Sequence, residues 1–238
     1  MEPAVTSPVV DDQPFARRSR RRVLLEIVFV YGFIVVMEWM PLRWHRELWI
    51  TATVGVALVV RASFEGWQAI GFRKANFRES LWVAGAALAM TAAAFTVSGR
   101  LHVLHVPNGF LPYIAIYIPY TIGAILQQFL LQCVILLRLL RLIQRPVMAA
   151  LVASVLFAMA HLPNPVLTPI TLVLGFASCL VFLYYRNIYP LMIAHVILGV
   201  AVSMSVPRVV DHNMRVGLGY LQYNPHRQAH PPDRLLEP

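Results

Sequence analysis

The sequence predicts an all-α, polytopic bundle of about seven transmembrane helices. Of the 238 residues, 58% are hydrophobic and 13% are charged, whereas a soluble domain is about half apolar and about one quarter charged. The apolar residues are also grouped in long runs, and a membrane-spanning helix needs about 20 of them in succession. Composition and clustering together indicate an integral membrane protein.

Seven apolar segments support this prediction: residues 23–40, 48–63, 81–98, 110–140, 147–161, 170–185 and 190–206. The fourth exceeds the roughly 30 Å thickness of the hydrocarbon, so it must tilt, kink or project. The fifth is short and runs into HLPNPVLTP, whose prolines forbid a regular helix. A re-entrant fifth segment would move the later segments to the opposite side of the membrane.

Charge divides the chain into three predicted regions: a basic cytoplasmic tail at 1–22, a transmembrane domain at 23–206, and a polar, poorly ordered tail at 207–238. With the N-terminus inside, thirteen Lys and Arg residues lie in inner segments, and only Arg43, Arg46 and Arg100 lie in outer loops. This asymmetry follows the positive-inside rule. The net charge of +9 therefore indicates membrane topology, and no nucleic-acid partner is expected.

Among the polar side chains of the apolar segments, five stand out: Gln127, Gln128, Gln132, His161 and His195. An unpartnered amide in an apolar medium costs on the order of 2–7 kcal/mol, so such residues are candidates for a functional site. Gln128 and Gln132 share a helix face, whereas Gln127 and Gln128 diverge by about 100°. Each also has an ordinary structural interpretation, because buried glutamines often bridge helices.

The order of these residues resembles the CPBP (Abi) family of intramembrane proteases, which includes CAAX prenyl endopeptidases and bacteriocin self-immunity proteins. Its members carry E-E-x-x-x-R, F-x-x-x-H and H-x-x-x-N/D on three core helices. Phe157 and His161 match the second motif and His195 begins the third, within a core at about 112–206. The turn at 71–73 (GFR) and the stretch at 175–186 are also similar to the family. The resemblance implies a place in a bacterial cell membrane.

The chain departs from the family pattern at its carboxylates. Gln127 and Gln128 stand at the Glu pair, Gln132 stands at the Arg, and Gly199 stands at the closing Asn or Asp. The resemblance implies peptide hydrolysis by a water held between Glu and His. An amide can orient a water molecule but cannot take its proton, so the base is missing unless His161 or His195 replaces it.

Two carboxylates of the first segment, Glu26 and Glu38, lie near its inner and outer ends. The simplest interpretation is that both reach interfacial water. The alternative is that Glu38 reaches His161 and supplies the base.

No metal or cofactor is expected, because two histidines fall short of the three or four protein ligands that zinc takes. Cys133 and Cys179 are interpreted as core residues. The tail histidines, His212, His226 and His230, are expected in a solvated segment.

Three functions are compatible with these residues. The first is a CPBP-type endopeptidase-like membrane protein with a degenerate catalytic set of Gln127, Gln128, His161 and His195. The second is a pseudoprotease that binds a peptide, lipid tail or partner helix. The third is a small transporter or lipid-handling protein. The expected partners are membrane lipid and a membrane-embedded or prenylated peptide. The first two functions require the four side chains to face one cavity.

Overall fold

The computed structural model describes residues 19–41 and 44–224, and these form an all-α bundle. The elements are α1 (Arg20–Trp39), α2 (His45–Ala62), α3 (Phe77–Ser80), α4 (Trp82–Arg100), α5 (Phe110–Phe129), a π-helical segment (Leu130–Leu136), α6 (Leu137–Leu142), α7 (Pro146–Met159), α8 (Leu167–Tyr185), α9 (Tyr189–Ser205), α10 (Arg208–Asp211) and α11 (Gly217–Leu221). No β-strand occurs in these ranges. The predicted all-α fold is confirmed.

Many large apolar side chains face outward, as a lipid environment requires. Phe110, Leu111 and Val173 expose 75%, 76% and 66% of their surface. Three helices in the described ranges are long and apolar enough to cross a membrane: Phe77–Arg100, Phe110–Leu142 and Leu167–Tyr185. Shorter apolar helices accompany them at Thr53–Ala62, Pro146–Met159 and Tyr189–Ser205. The protein is therefore an integral membrane bundle, while the number of spans and the side of the N-terminus stay predictions.

The core lies where α1, the π-helical segment, α7 and α8 meet. Small residues of α7 are fully buried there, among them Ala149, Ala150 and Ala153, and such residues allow close helix packing. Both cysteines, Cys133 and Cys179, are free and buried in this core. Their interpretation as core residues is confirmed.

A buried ion pair fastens α1 to α6 near one end of the bundle. Glu26 Oε2 accepts a hydrogen bond from Arg138 Nε at 2.9 Å, and the two side chains are 12% and 7% exposed. Arg138 also donates to Ser63 Oγ at 2.6 Å and to the carbonyl oxygen of Val134 at 3.0 Å. Glu26 thus pairs with a buried guanidinium on one side and with the exposed Arg22 on the other, so its place is set by ion pairing as well as by its position near the end of α1.

The expectation of a poorly ordered tail after Pro207 is wrong for its first part, which forms α10 and α11. Asn164 is fully buried and donates from Nδ2 to the carbonyl oxygens of Asp211 and Arg215 at 2.8 and 2.9 Å. Its Oδ1 accepts from the N–H groups of Val166 and Leu167. One asparagine thus caps α8 and holds the C-terminal segment.

The ring of His212 is packed rather than solvated. It stacks on Tyr220 and Tyr223, with centroid distances of 4.0 and 4.6 Å. This stacking corrects the expectation of a solvated segment at His212. His226 and His230 lie outside the described residues.

The turn at 71–73 permits a test of close packing. Gly71 has φ +100°, and an added Cβ would lie 2.5 Å from the ring of buried Phe182. Gly66 has φ +106°, but a Cβ added to Gly66 would have no atom within 4 Å. Either substitution by alanine costs backbone strain of about 1–3 kcal/mol, and Gly71→Ala also overpacks the core, for about 1–3 kcal/mol more.

We therefore expect Gly71→Ala to lower the Tm in detergent further than Gly66→Ala does. Thermal unfolding of the two variants beside the unaltered protein measures this difference. Equal losses of Tm in the two variants would show that the Phe182 ring moves aside without destabilising the fold.

Candidate active site

A cavity of about 780 Å³ lies inside the bundle and is lined by residues of α1, α2, α4, α5, α7, α8 and α9. Its wall is mostly aliphatic and aromatic. The side chains that the sequence selected at the three motifs line it together: Gln127, Gln128, His161 and His195. Their convergence is the geometry that the first two functions require, and their role as a site stays a prediction.

Gln128 and His195 join α5 to α9. Gln128 is 3% exposed, and its Oε1 accepts a hydrogen bond from His195 Nδ1 at 2.9 Å. In a neutral imidazole this leaves Nε2 as the nitrogen that can accept a proton. The amide Nε2 of Gln128 is buried and has no hydrogen-bond partner among the described residues. This contact therefore offers both an unused donor and an unused acceptor.

His161 follows the end of α7 and is fixed by its own helix. Its Nδ1 donates to the carbonyl oxygen of Phe157 at 2.7 Å. The Phe157 ring meets His161 and His195 edge-on, at centroid distances of 4.8 and 6.0 Å. Gly175 of α8 makes room for Phe157, since an added Cβ would lie 3.1 Å from that ring. Phe157 therefore packs against both imidazoles.

Gln127 is exposed and lines the same cavity. It points away from its buried neighbour Gln128, as the 100° step of an α-helix predicts. Its amide is thus placed to meet a ligand or water.

Gln132 does not share the cavity-facing side of Gln128. It is fully buried in the π-helical segment, and its Nε2 donates to Ser178 Oγ of α8 at 3.0 Å. Gln128 is among the residues that line the cavity, whereas Gln132 is not. Gln132 bridges helices, which is its ordinary structural interpretation.

Gly199 lies one helical turn after His195, where the family pattern has Asn or Asp. A Cβ added there would overlap the Tyr120 hydroxyl of α5 and would lie 2.5 Å from Tyr120 Cζ. Tyr120 and Gly199 both line the cavity. The sequence gives no signal for Tyr120, which is one aromatic residue among several in an apolar run.

Glu38 of α1 is the carboxylate-bearing residue among those that line the cavity in the described part of the chain. The N–H of Gly217 donates to the carbonyl oxygen of Leu162 at 2.7 Å, and a Cβ added to Gly217 would overlap the Glu38 carbonyl oxygen. Through Gly217, the end of α1 lies beside the turn that carries His161.

Across residues 19–41 and 44–224, no three His, Cys, Asp or Glu side chains are grouped to hold a metal ion. The cavity can offer amide donors, imidazole acceptors and one carboxylate within an apolar enclosure. Such a site suits an apolar chain that carries a carbonyl or peptide group.

Comparison with known proteins agrees with the motifs. Residues 109–201 match the family model described as type II CAAX prenyl endopeptidase Rce1-like. The matched range contains Gln127, Gln128, His161, His195 and Gly199. The chain matches no curated protein and no solved structure. The predicted resemblance is confirmed over this range: residues 109–201 of this membrane protein are similar to the Rce1-like family model.

Proposed function

We propose that this endopeptidase-like membrane protein binds a lipidated or membrane-embedded peptide in its cavity and hydrolyses it poorly or not at all. The observation that carries this proposal is the Gln128–His195 contact, which leaves the buried Nε2 of Gln128 unused inside an apolar cavity. A ligand carbonyl that accepts a hydrogen bond from this buried donor would stabilise the complex, because the donor is otherwise unsatisfied.

The size and wall of the cavity support an apolar ligand. Its volume of about 780 Å³ lies within the range of about 300–1,000 Å³ that is typical of sites for small ligands. Apolar residues of all seven lining helices surround the cavity, so a prenyl or acyl chain would be shielded from water. The polar residues would then hold the peptide group attached to that chain.

The amides at Gln127 and Gln128 support binding over hydrolysis. A carboxylate can take a proton from the attacking water, and a primary amide cannot. The loss of such an acid/base group commonly costs about 10²–10⁴-fold in rate. We therefore assign the site to ligand binding first.

A second candidate function is hydrolysis with Glu38 as the base. It is supported by the presence of Glu38 at the cavity and by the link through Gly217 to the turn at His161. In this alternative, His161 or His195 would orient the water and Glu38 would take its proton.

The test uses the full chain in lipid nanodiscs and a fluorescent peptide that carries S-farnesylcysteine, with the unmodified peptide as the matched probe. We expect saturable binding of the farnesylated peptide only. Gln128→Leu should weaken binding about tenfold, since one hydrogen bond to a buried amide is lost. Gln132→Leu is the matched control, because Gln132 is a buried glutamine that does not itself line the cavity.

Cleavage is measured in the same samples. Cleavage by the unaltered protein that disappears in Glu38→Gln would assign the second function, and an unaffected Glu38→Gln variant would rule it out. Failure of the farnesylated peptide to bind would overturn the binding function.

A further inference from the structure

The Tyr120 side chain fills the space that any side chain at position 199 would need. The overlap of its hydroxyl with an added Cβ at Gly199, and the 2.5 and 3.1 Å approaches of its ring atoms Cζ and Cε1, put the end of the phenol against the α9 backbone. Gly199 is four residues after His195, so the two positions share a face of α9. The Tyr120 hydroxyl therefore lies about 6 Å along the helix axis from the level of His195.

The hydroxyl of Tyr120 has no hydrogen-bond partner within the described ranges, although the residue lines the cavity. Tyr117, one turn earlier on α5, differs in both respects. Its hydroxyl lies 3.4 Å from Ser203 Oγ of α9, and it does not line the cavity. Two tyrosines of one helix thus meet the same neighbouring helix, one with a protein partner and one without.

Tyr120 also shares a face of α5 with Gln127. The two are seven residues apart, which is close to two full helical turns. Both line the cavity together with Gln128, whose Nε2 is unpartnered. Donor groups of α5 therefore border the cavity opposite the His195 face of α9.

We propose that Tyr120 is a ligand-binding residue, whose hydroxyl donates a hydrogen bond to the peptide carbonyl of the bound ligand in place of the side chain that Gly199 lacks. This assignment rests on the proposed function and extends it. It implies that either the Tyr120 phenol or a side chain at position 199 can occupy this space, but not both. The glycine at 199 leaves room for the phenol.

The test compares Tyr120→Phe, which removes one oxygen atom, with Tyr117→Phe as the matched control. Two probes are used in nanodiscs: the farnesylated peptide, and the same peptide with an (E)-alkene in place of the amide that follows the farnesylcysteine. The alkene keeps the shape of the peptide but has no carbonyl oxygen. We expect Tyr120→Phe to weaken binding of the amide probe about 3–10-fold, which is the size of one hydrogen bond.

The alkene probe should bind Tyr120→Phe and the unaltered protein equally, and Tyr117→Phe should leave the affinity for both probes unchanged. An equal loss for both probes would show a structural role and overturn the assignment, as would no loss for either. If the unaltered protein binds neither probe, the proposed function itself fails and the assignment fails with it.

A second measurement tests the shared space without any ligand. Gly199→Asn should lower the Tm because the new side chain meets the phenol, and Gly199→Asn combined with Tyr120→Ala should recover most of that loss. A Tm for Gly199→Asn equal to that of the unaltered protein would show that Tyr120 does not occupy this place, and would overturn the assignment.

Discussion

Glu26→Leu is expected to lower the free energy of unfolding by about 3–5 kcal/mol, because it removes the Glu26 carboxylate that pairs with the buried guanidinium of Arg138. Two other acceptors of the Arg138 side chain, Ser63 Oγ and the Val134 carbonyl, carry no negative charge. Denaturant titration of the purified protein in mixed micelles measures the loss. Replacing both partners, as Glu26→Leu with Arg138→Met, should restore much of the stability, since an apolar pair leaves no buried charge.

Arg22→Ala is the matched control for this prediction. Arg22 Nε lies 3.2 Å from the other oxygen of the same carboxylate, but its side chain is 55% exposed. Exposed ion pairs contribute about 0–1 kcal/mol, so this variant should lose little. A loss in Glu26→Leu as small as that in Arg22→Ala would mean that water solvates Arg138 in the native protein.

Gln127→Glu is expected to raise the rate of cleavage of the farnesylated peptide by about 10²–10⁴-fold over the unaltered protein, the usual contribution of a general base. Gln127 is exposed to the cavity, so a carboxylate there can stay ionised and contact water. Single-turnover cleavage followed by chromatography measures the rate.

Gln128→Glu is the matched variant, and its gain should be smaller. Residue 128 is 3% exposed and hydrogen-bonded to His195, so a carboxylate there would pair with the imidazole instead of activating water. Intact binding without cleavage in Gln127→Glu would show that a missing base is not what prevents hydrolysis. That outcome would direct attention to position 199, where the family pattern has a polar side chain.

The sequence predicted well what depends on short-range patterns. The segment predicted at 81–98 is observed as Trp82–Arg100, and the one at 190–206 as Tyr189–Ser205, because long apolar runs bounded by polar residues leave little choice in lipid. The ordered motifs also selected the pair that meets across α5 and α9, Gln128 and His195.

What the sequence did not predict depends on contacts between distant residues. Glu26 and Arg138 are 112 positions apart, and no local pattern pairs them. The contact between Tyr120 and Gly199 depends on how α5 packs on α9, which no local sequence pattern determines. The first part of the C-terminal tail looked disordered because it is polar, yet buried Asn164 supplies it with backbone hydrogen bonds.

The π-helical segment Leu130–Leu136 joins α5 to α6 within one long helix, Phe110–Leu142. Before it, Gln128 faces the cavity; after it, Arg138 faces Glu26 on α1. Loss of one residue from this segment would rotate one half against the other by about 100°. The segment thus sets the angle between the cavity-lining face of the first half and the face of the second half that pairs with α1. A substitution at the cavity-lining residues of α5 therefore leaves the residues of α6 that contact α1 unchanged.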